Sequence, residues 1–310
     1  MRPTRQLLQR ALPAAVSLAL LAWLLASFDR RAILGAVDAR VAVVLAPSVL
    51  LWGVTTLALE ALSIFRVLVA PPASFTIATA ARIKCASYLL GIIHLTLGGA
   101  GLAVLLRQRT GITLGESAGV VLLLMLTDLV ITLSAGVIGA SFSEAAASAL
   151  PVGLITLIAA GLVFGVALLR IPGSLGPIER IRALPVFVAL RQITLSRLLQ
   201  LVVLRIVFVS CFIAVGGAAF VAFGIEAAAS RIIVGMAILA VVGALPIAVS
   251  GLGTGQVAAV FLFRDLAPAE TILAMSLVLT FSLTSLRLLM GLTFAREFAR
   301  QALAGAREAA

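Results

Sequence analysis

Charge is scarce in this chain, and what there is has one dominant sign. Only 11% of its 310 residues are charged, 12 acidic against 23 basic, for a net charge of +11. Lysine and histidine occur once each, as Lys84 and His94, so the positive charge is almost wholly arginine. One histidine, and two cysteines (Cys85 and Cys211) in apolar stretches without ligand spacing, give no metal cluster and say nothing of redox compartment. There is no Walker-type phosphate loop, and no pair of carboxylates stands beside a histidine near one end of a helix. The expectation is a chain without metal, cofactor or catalytic constellation.

Apolar sequence is abundant instead. Hydrophobic residues make up 63% of the chain and mean hydropathy is +1.24, more apolar surface than a soluble domain of this length buries. The runs are continuous and about 20 residues long, which suits helices crossing a hydrocarbon core of roughly 30 Å rather than the short alternating strands of a barrel. This predicts an all-α, polytopic membrane protein. Full spans are expected at 7–28, 41–65, 117–141, 152–170, 198–223 and 270–294, with interrupted regions at 74–109 and 231–263. The run at 7–28 is too long for a signal-peptide core and reads as an uncleaved first helix. A basic linker, 171–197, mixes Arg180, Arg182, Arg191 and Arg197 with apolar residues and suits an amphipathic elbow in the membrane interface. A short polar tail closes the chain at 301–310.

Each interrupted region carries a glycine cluster. Gly98, Gly99 and Gly101 lie in the first, and Gly251, Gly253 and Gly255 in the second; Gly99 and Gly251 stand 152 residues apart. After each cluster come an apolar stretch, basic residues and a Glu that starts a long helix, so 1–150 and 151–300 read as two copies of one membrane repeat. Glycine breaks at corresponding places in two halves point to a transporter-like site of broken helices. The glycines are expected to permit positive φ and close helix approach.

Charge then chooses the topology. If each interrupted region is a re-entrant hairpin turning at its glycines, 16 basic residues lie on one side of the membrane and 5 (Arg30, Arg31, Arg40, Arg231, Arg264) on the other, leaving Arg205 and Arg287 within spans. By the positive-inside rule the richer side, with both termini, is cytoplasmic. The repeats are then inverted: about six full spans and two re-entrant hairpins whose tips imply a water-filled cavity. Arginines placed to orient spans need no nucleic acid, and none is expected as a partner.

Asp128 falls near the middle of the 117–141 span, where an ionisable group costs about 2.5 to 3.5 kcal/mol on insertion scales and is a functional candidate by default. The alternative is a structural partner for an arginine or a hairpin amide. Arg205, Arg287 and Glu60 lie some way inside the cytoplasmic boundary. They either snorkel to the interface or line a polar cleft where an arginine fork receives an anionic lipid phosphate. Arg82, Lys84, Arg107 and Arg109 at the first hairpin's mouth serve as topology signals or weak headgroup sites. His94 either titrates in the cavity or bonds a broken-helix carbonyl. Gln256 can satisfy backbone exposed by the second turn and keep a donor for substrate.

At its glycine segments the chain resembles the flippase-like transmembrane family typified by the membrane half of lysylphosphatidylglycerol synthase. In the second segment that family's pattern runs Pro, Ile, Ser, Pro, Gly, Gly, Leu, Gly, two variable residues and Glu. Here the stretch is Pro246, Ile247, Ala248, Val249, Ser250, Gly251, Leu252, Gly253, Thr254, Gly255 and Gln256, with Gln in place of the Glu. In the first segment Leu102 follows Gly101 where the family often has an acid, and no basic residue appears before Arg107. The resemblance implies translocation of lipids or amphiphiles, or a supporting role in envelope lipid metabolism, in a bacterial inner membrane. It does not imply lipid aminoacyl transfer, since no counterpart of the soluble catalytic domain follows the last span. Membrane lipids, anionic or amphiphilic, are the expected partners, with an envelope-lipid enzyme as a further candidate. The competing readings are a non-catalytic membrane partner of such an enzyme and a lipid-modifying transferase.

Overall fold

The computed structural model describes residues 31, 35–68, 71–93, 95–142, 153, 157, 158, 160, 161, 183–244 and 253–308. The expected span 7–28, most of 152–170, the linker residues 171–182, His94 and Gly251 lie outside the described residues. Within them every regular element is helical: α1 (Ala39–Val67), α2 (Ile77–Ile93), α3 (Leu95–Thr110), α4 (Leu114–Ser141), α5 (Val188–Gln192), α6 (Leu195–Ala222), α7 (Ala229–Ala244), α8 (Thr254–Phe263) and α9 (Ala269–Glu308), with a 3-10 turn at Pro185–Phe187.

Four of these are long and apolar enough to cross a membrane: α1, α4, α6 and the Ala269–Phe294 part of α9. They fall on the expected spans 41–65, 117–141, 198–223 and 270–294, each lengthened by a turn or less at one or both ends. Large apolar side chains on them remain exposed, among them Val43, Leu51, Ile138, Leu199, Val221 and Phe281, as suits helices whose outer faces meet lipid. The last helix runs on through the expected polar tail to Glu308.

The chain divides into two compact units: Met1–Trp52 with Thr132–Leu157 and Val209–Thr284, and Gly53–Ile131 with Ile158–Phe208 and Ser285–Ala310. Each draws on both sequence halves.

In the second unit, α2 and α3 form an antiparallel pair. A Cβ on Gly98 would lie 2.7 Å from the Cα of Gly91, whereas residues seven apart in one continuous helix are separated by about 10 Å. The chain therefore reverses between them. The reversal corrects two expectations: Gly98, Gly99 and Gly101 lie inside α3 rather than at its tip, and none of them has positive φ. Gly98 serves close backbone approach, since any side chain there would meet the backbone of Gly91. Gly111, with φ 74°, ends α3, and a reciprocal cap starts α4: the Thr113 N–H donates to Glu116 Oε2 at 2.8 Å, and the Glu116 N–H to Thr113 Oγ1 at 3.2 Å. The unit's core joins Ile64, Ile83, Leu106, Leu123, Leu190, Ile193 and Leu201. The described end of the basic linker is thus anchored in protein through Leu190 and Ile193.

In the first unit, α7 and α8 also run antiparallel. Arg231 at the start of α7 donates to both carboxylate oxygens of Asp265, just after α8, at 2.7 and 2.8 Å, and to the Leu262 carbonyl at 3.2 Å. Gly235 lies against the Phe263 ring, which meets Phe220 edge-on with centroids 4.9 Å apart. Gly224, at φ 66°, closes α6 with the paired bonds of a Schellman turn, Gly224 N–H to the Val221 carbonyl and Ile225 N–H to that of Phe220.

Candidate functional site

Four apolar helices of the second unit each bring one charged side chain to a common point. Glu60 comes from α1, Lys84 from α2, Asp128 from α4 and Arg205 from α6. Arg205 is 1% exposed. Its Nη2 donates to Glu60 Oε2 at 3.0 Å, while its Nη1 is shared between Asp128 Oδ2 at 3.2 Å and Oδ1 at 3.3 Å. Lys84 Nζ holds the other Glu60 oxygen, Oε1, at 2.9 Å. Two carboxylates and two cations thus balance in charge, each of the Glu60 oxygens taking one cation.

The local sequence explains how such a group stands in apolar helices. Ser63 and Thr127 return their hydroxyls to carbonyls of their own helices, Leu59 and Leu123, and so add no unsatisfied polar atoms nearby. The Arg205 guanidinium carbon lies 5.1 Å from the centroid of the Phe208 ring, on the same helix. Truncating one member of a buried ion pair costs about 3 to 5 kcal/mol because its partner stays buried and uncompensated.

The network corrects the snorkelling alternative for Arg205 and Glu60: both are buried and turned into the protein. It also corrects the grouping of Lys84 with Arg82, Arg107 and Arg109. Arg82 and Arg107 are exposed, whereas Lys84, two residues from Arg82, points to Glu60. Asp128 has an arginine partner, Arg205. Arg287 joins the same region through Tyr88, whose ring centroid lies 5.6 Å from both the Arg287 guanidinium carbon and Lys84 Nζ. Tyr88 has no charge, and no feature of the sequence distinguished it from a core aromatic.

Gln256 and the second glycine cluster belong to the first unit. Gly253 has φ 86° and precedes α8, a backbone conformation open to glycine at low cost. Its N–H donates to Gln256 Oε1 at 2.7 Å, and Gln256 Nε2 donates to Thr280 Oγ1 at 3.3 Å. The amide oxygen therefore satisfies the broken backbone as expected, while the amide nitrogen has a partner on α9. Gly255 lies in α8 without positive φ and has open space where a Cβ would stand, which corrects the expectation of φ freedom and of close approach at that position. A Glu at position 256, as in the pattern that the segment resembles, would accept the same hydrogen bond; Gln keeps that cap and drops the charge.

No curated protein and no solved structure shows significant similarity to this chain. Residues 10–291 match the family described as Lysylphosphatidylglycerol synthase TM region. With its long apolar helices and a match over most of its length, the chain is a multi-pass membrane protein belonging to that family, which is linked to lipid handling.

Proposed function

We propose that the chain moves a lipid or another amphiphile between the leaflets of a bacterial cytoplasmic membrane, with both termini on the cytoplasmic side. The observation that carries this reading is the ion-pair network of Glu60, Lys84, Asp128 and Arg205 inside helices apolar enough to span a bilayer. Charges at membrane depth are costly and stand where an ion or substrate path needs them. A guanidinium already held by carboxylates can trade one of them for a headgroup at little net change in charge. In this reading Asp128 and Arg205 are the substrate-facing pair, with Glu60, Lys84 and Arg287 around them, and the two helix pairs α2–α3 and α7–α8 are the re-entrant hairpins of an inverted repeat. Arg82, Arg107 and Arg109 are left as surface sites for headgroups.

The second reading, a non-catalytic partner of an envelope-lipid enzyme, draws on Gln256. It is uncharged where the family pattern has Glu, and both ends of its amide are engaged within the chain. The two are separated by reconstituting the purified chain in liposomes with fluorescent lipid analogues and following quencher access to the inner leaflet. Translocation above protein-free vesicles supports transport, and its absence in folded protein supports the partner role.

A further inference from the structure

The two arms of the Arg205 fork are unequal. Glu60 is 8% exposed at its side chain and is held by two cations, one on each oxygen. Asp128 is 30% exposed, and Arg205 is its ion-pair partner among the described residues. Its contacts, 3.2 and 3.3 Å from a single Nη1, are longer than the 3.0 Å from Nη2 to Glu60. The network therefore has a buried arm at Glu60, held by two cations, and a less buried arm at Asp128, held by one.

Resting on the transport reading, we propose that the Asp128 carboxylate is a placeholder for a phosphate oxyanion, which displaces it from Arg205 Nη1 when substrate binds. An anion added to the intact network would meet two carboxylates and leave a negative excess in a buried place. One that replaces Asp128 leaves Arg205 balanced, while Asp128 turns toward its exposed side. Guanidinium and phosphate match in charge and in donor geometry. Glu60 cannot serve the same exchange, because it is the more buried carboxylate and releasing it would take from Lys84 the carboxylate that holds it while also breaking the shorter Arg205 contact. The carboxylate thus sets the affinity low enough for release, as a carrier requires. The same oxyanion chemistry belongs to a lipid headgroup and to free phosphate.

The test is equilibrium binding to the purified full chain in detergent, with short-chain phosphatidylglycerol, inorganic phosphate and, as the control without phosphate, diacylglycerol of equal chain length. Removing the competitor by Asp128→Asn should tighten phosphatidylglycerol binding about tenfold, leave diacylglycerol unchanged, and be reproduced by Asp128→Ala. Tightening for inorganic phosphate as well would support the exchange with free phosphate as a ligand; tightening for the lipid alone would support it with the headgroup as the source. Both Asp128 variants binding no more tightly than the parent chain would overturn the proposal. Lipid movement by the parent chain without that gain would overturn the exchange and leave transport standing, whereas the gain without lipid movement would do the reverse.

Discussion

Arg205 lies 3.0 Å from Glu60, a residue 145 positions earlier in the chain. The bond ties α6 to α1, and because Arg205 is 1% exposed the loss of either charge leaves a buried group with one counterion fewer: Glu60 would keep Lys84, and Arg205 would keep Asp128.

Glu60→Gln and Arg205→Gln should each lower stability, by up to about 3 to 5 kcal/mol because the surviving partner keeps one counterion, with the double variant costing clearly less than the sum of the two. Thermal unfolding of the purified chain in detergent gives the cycle. Additive losses would mean that the two side chains do not depend on one another.

Gly98 and Gly255 make a matched pair of helical glycines with opposite surroundings. A Cβ at Gly98 would meet the Gly91 backbone at 2.7 Å, while at Gly255 it would meet nothing within 4 Å. Gly98→Ala should therefore destabilise by about 1 to 3 kcal/mol, from overpacking against backbone that cannot yield. Gly255→Ala should be neutral or stabilising by up to ~1 kcal/mol, through helix propensity. Melting temperatures of the two variants check the contrast.

Gly253→Ala should cost about 1 to 3 kcal/mol through its φ of 86°. Gln256→Glu should be tolerated there, because a carboxylate accepts the same bond from Gly253, whereas Gln256→Leu should unfold at lower temperature. Equal melting for Glu and Leu at this position would deny the cap its role.

For topology, the ion pair between Arg231 and Asp265 at 2.7 Å places both ends of the α7–α8 pair at one surface. Single cysteines at 231 and 264, in a chain with Cys85 and Cys211 replaced, should label together from outside intact cells. Cysteines at 82 and 109 should label together only from the cytoplasmic side. Opposite labelling within either pair would exclude its hairpin from the membrane arrangement proposed above.

The four long helices were legible because a run of twenty apolar residues is a local property, and α4 was further marked by Glu116, the acid that starts it. Asp128 was legible as a charge at the midpoint of such a run. What could not be read was its company. Glu60 and Arg205 are each close enough to a helix end to snorkel, and only their convergence in three dimensions turns them inward. Lys84 was hidden by its neighbour: Arg82 and Lys84 look alike as topology signals, yet two residues along a helix rotate a side chain by about 200°, from an exposed face to the Glu60 side. The first glycine cluster marked the right helix pair through the close approach expected of it, Gly98 against Gly91, and not by making the turn.

The most direct measurement is lipid translocation by Arg205→Lys in liposomes, read by quencher access to each leaflet beside the parent chain. Lysine keeps the positive charge but cannot bridge Glu60 and Asp128 with one planar fork. If the network is the transport site, a folded Arg205→Lys protein should move lipid at least about tenfold more slowly, since repositioning of a single reacting or binding group by about 1 Å costs on the order of a hundredfold. Translocation at the parent rate by that folded variant would contradict the account.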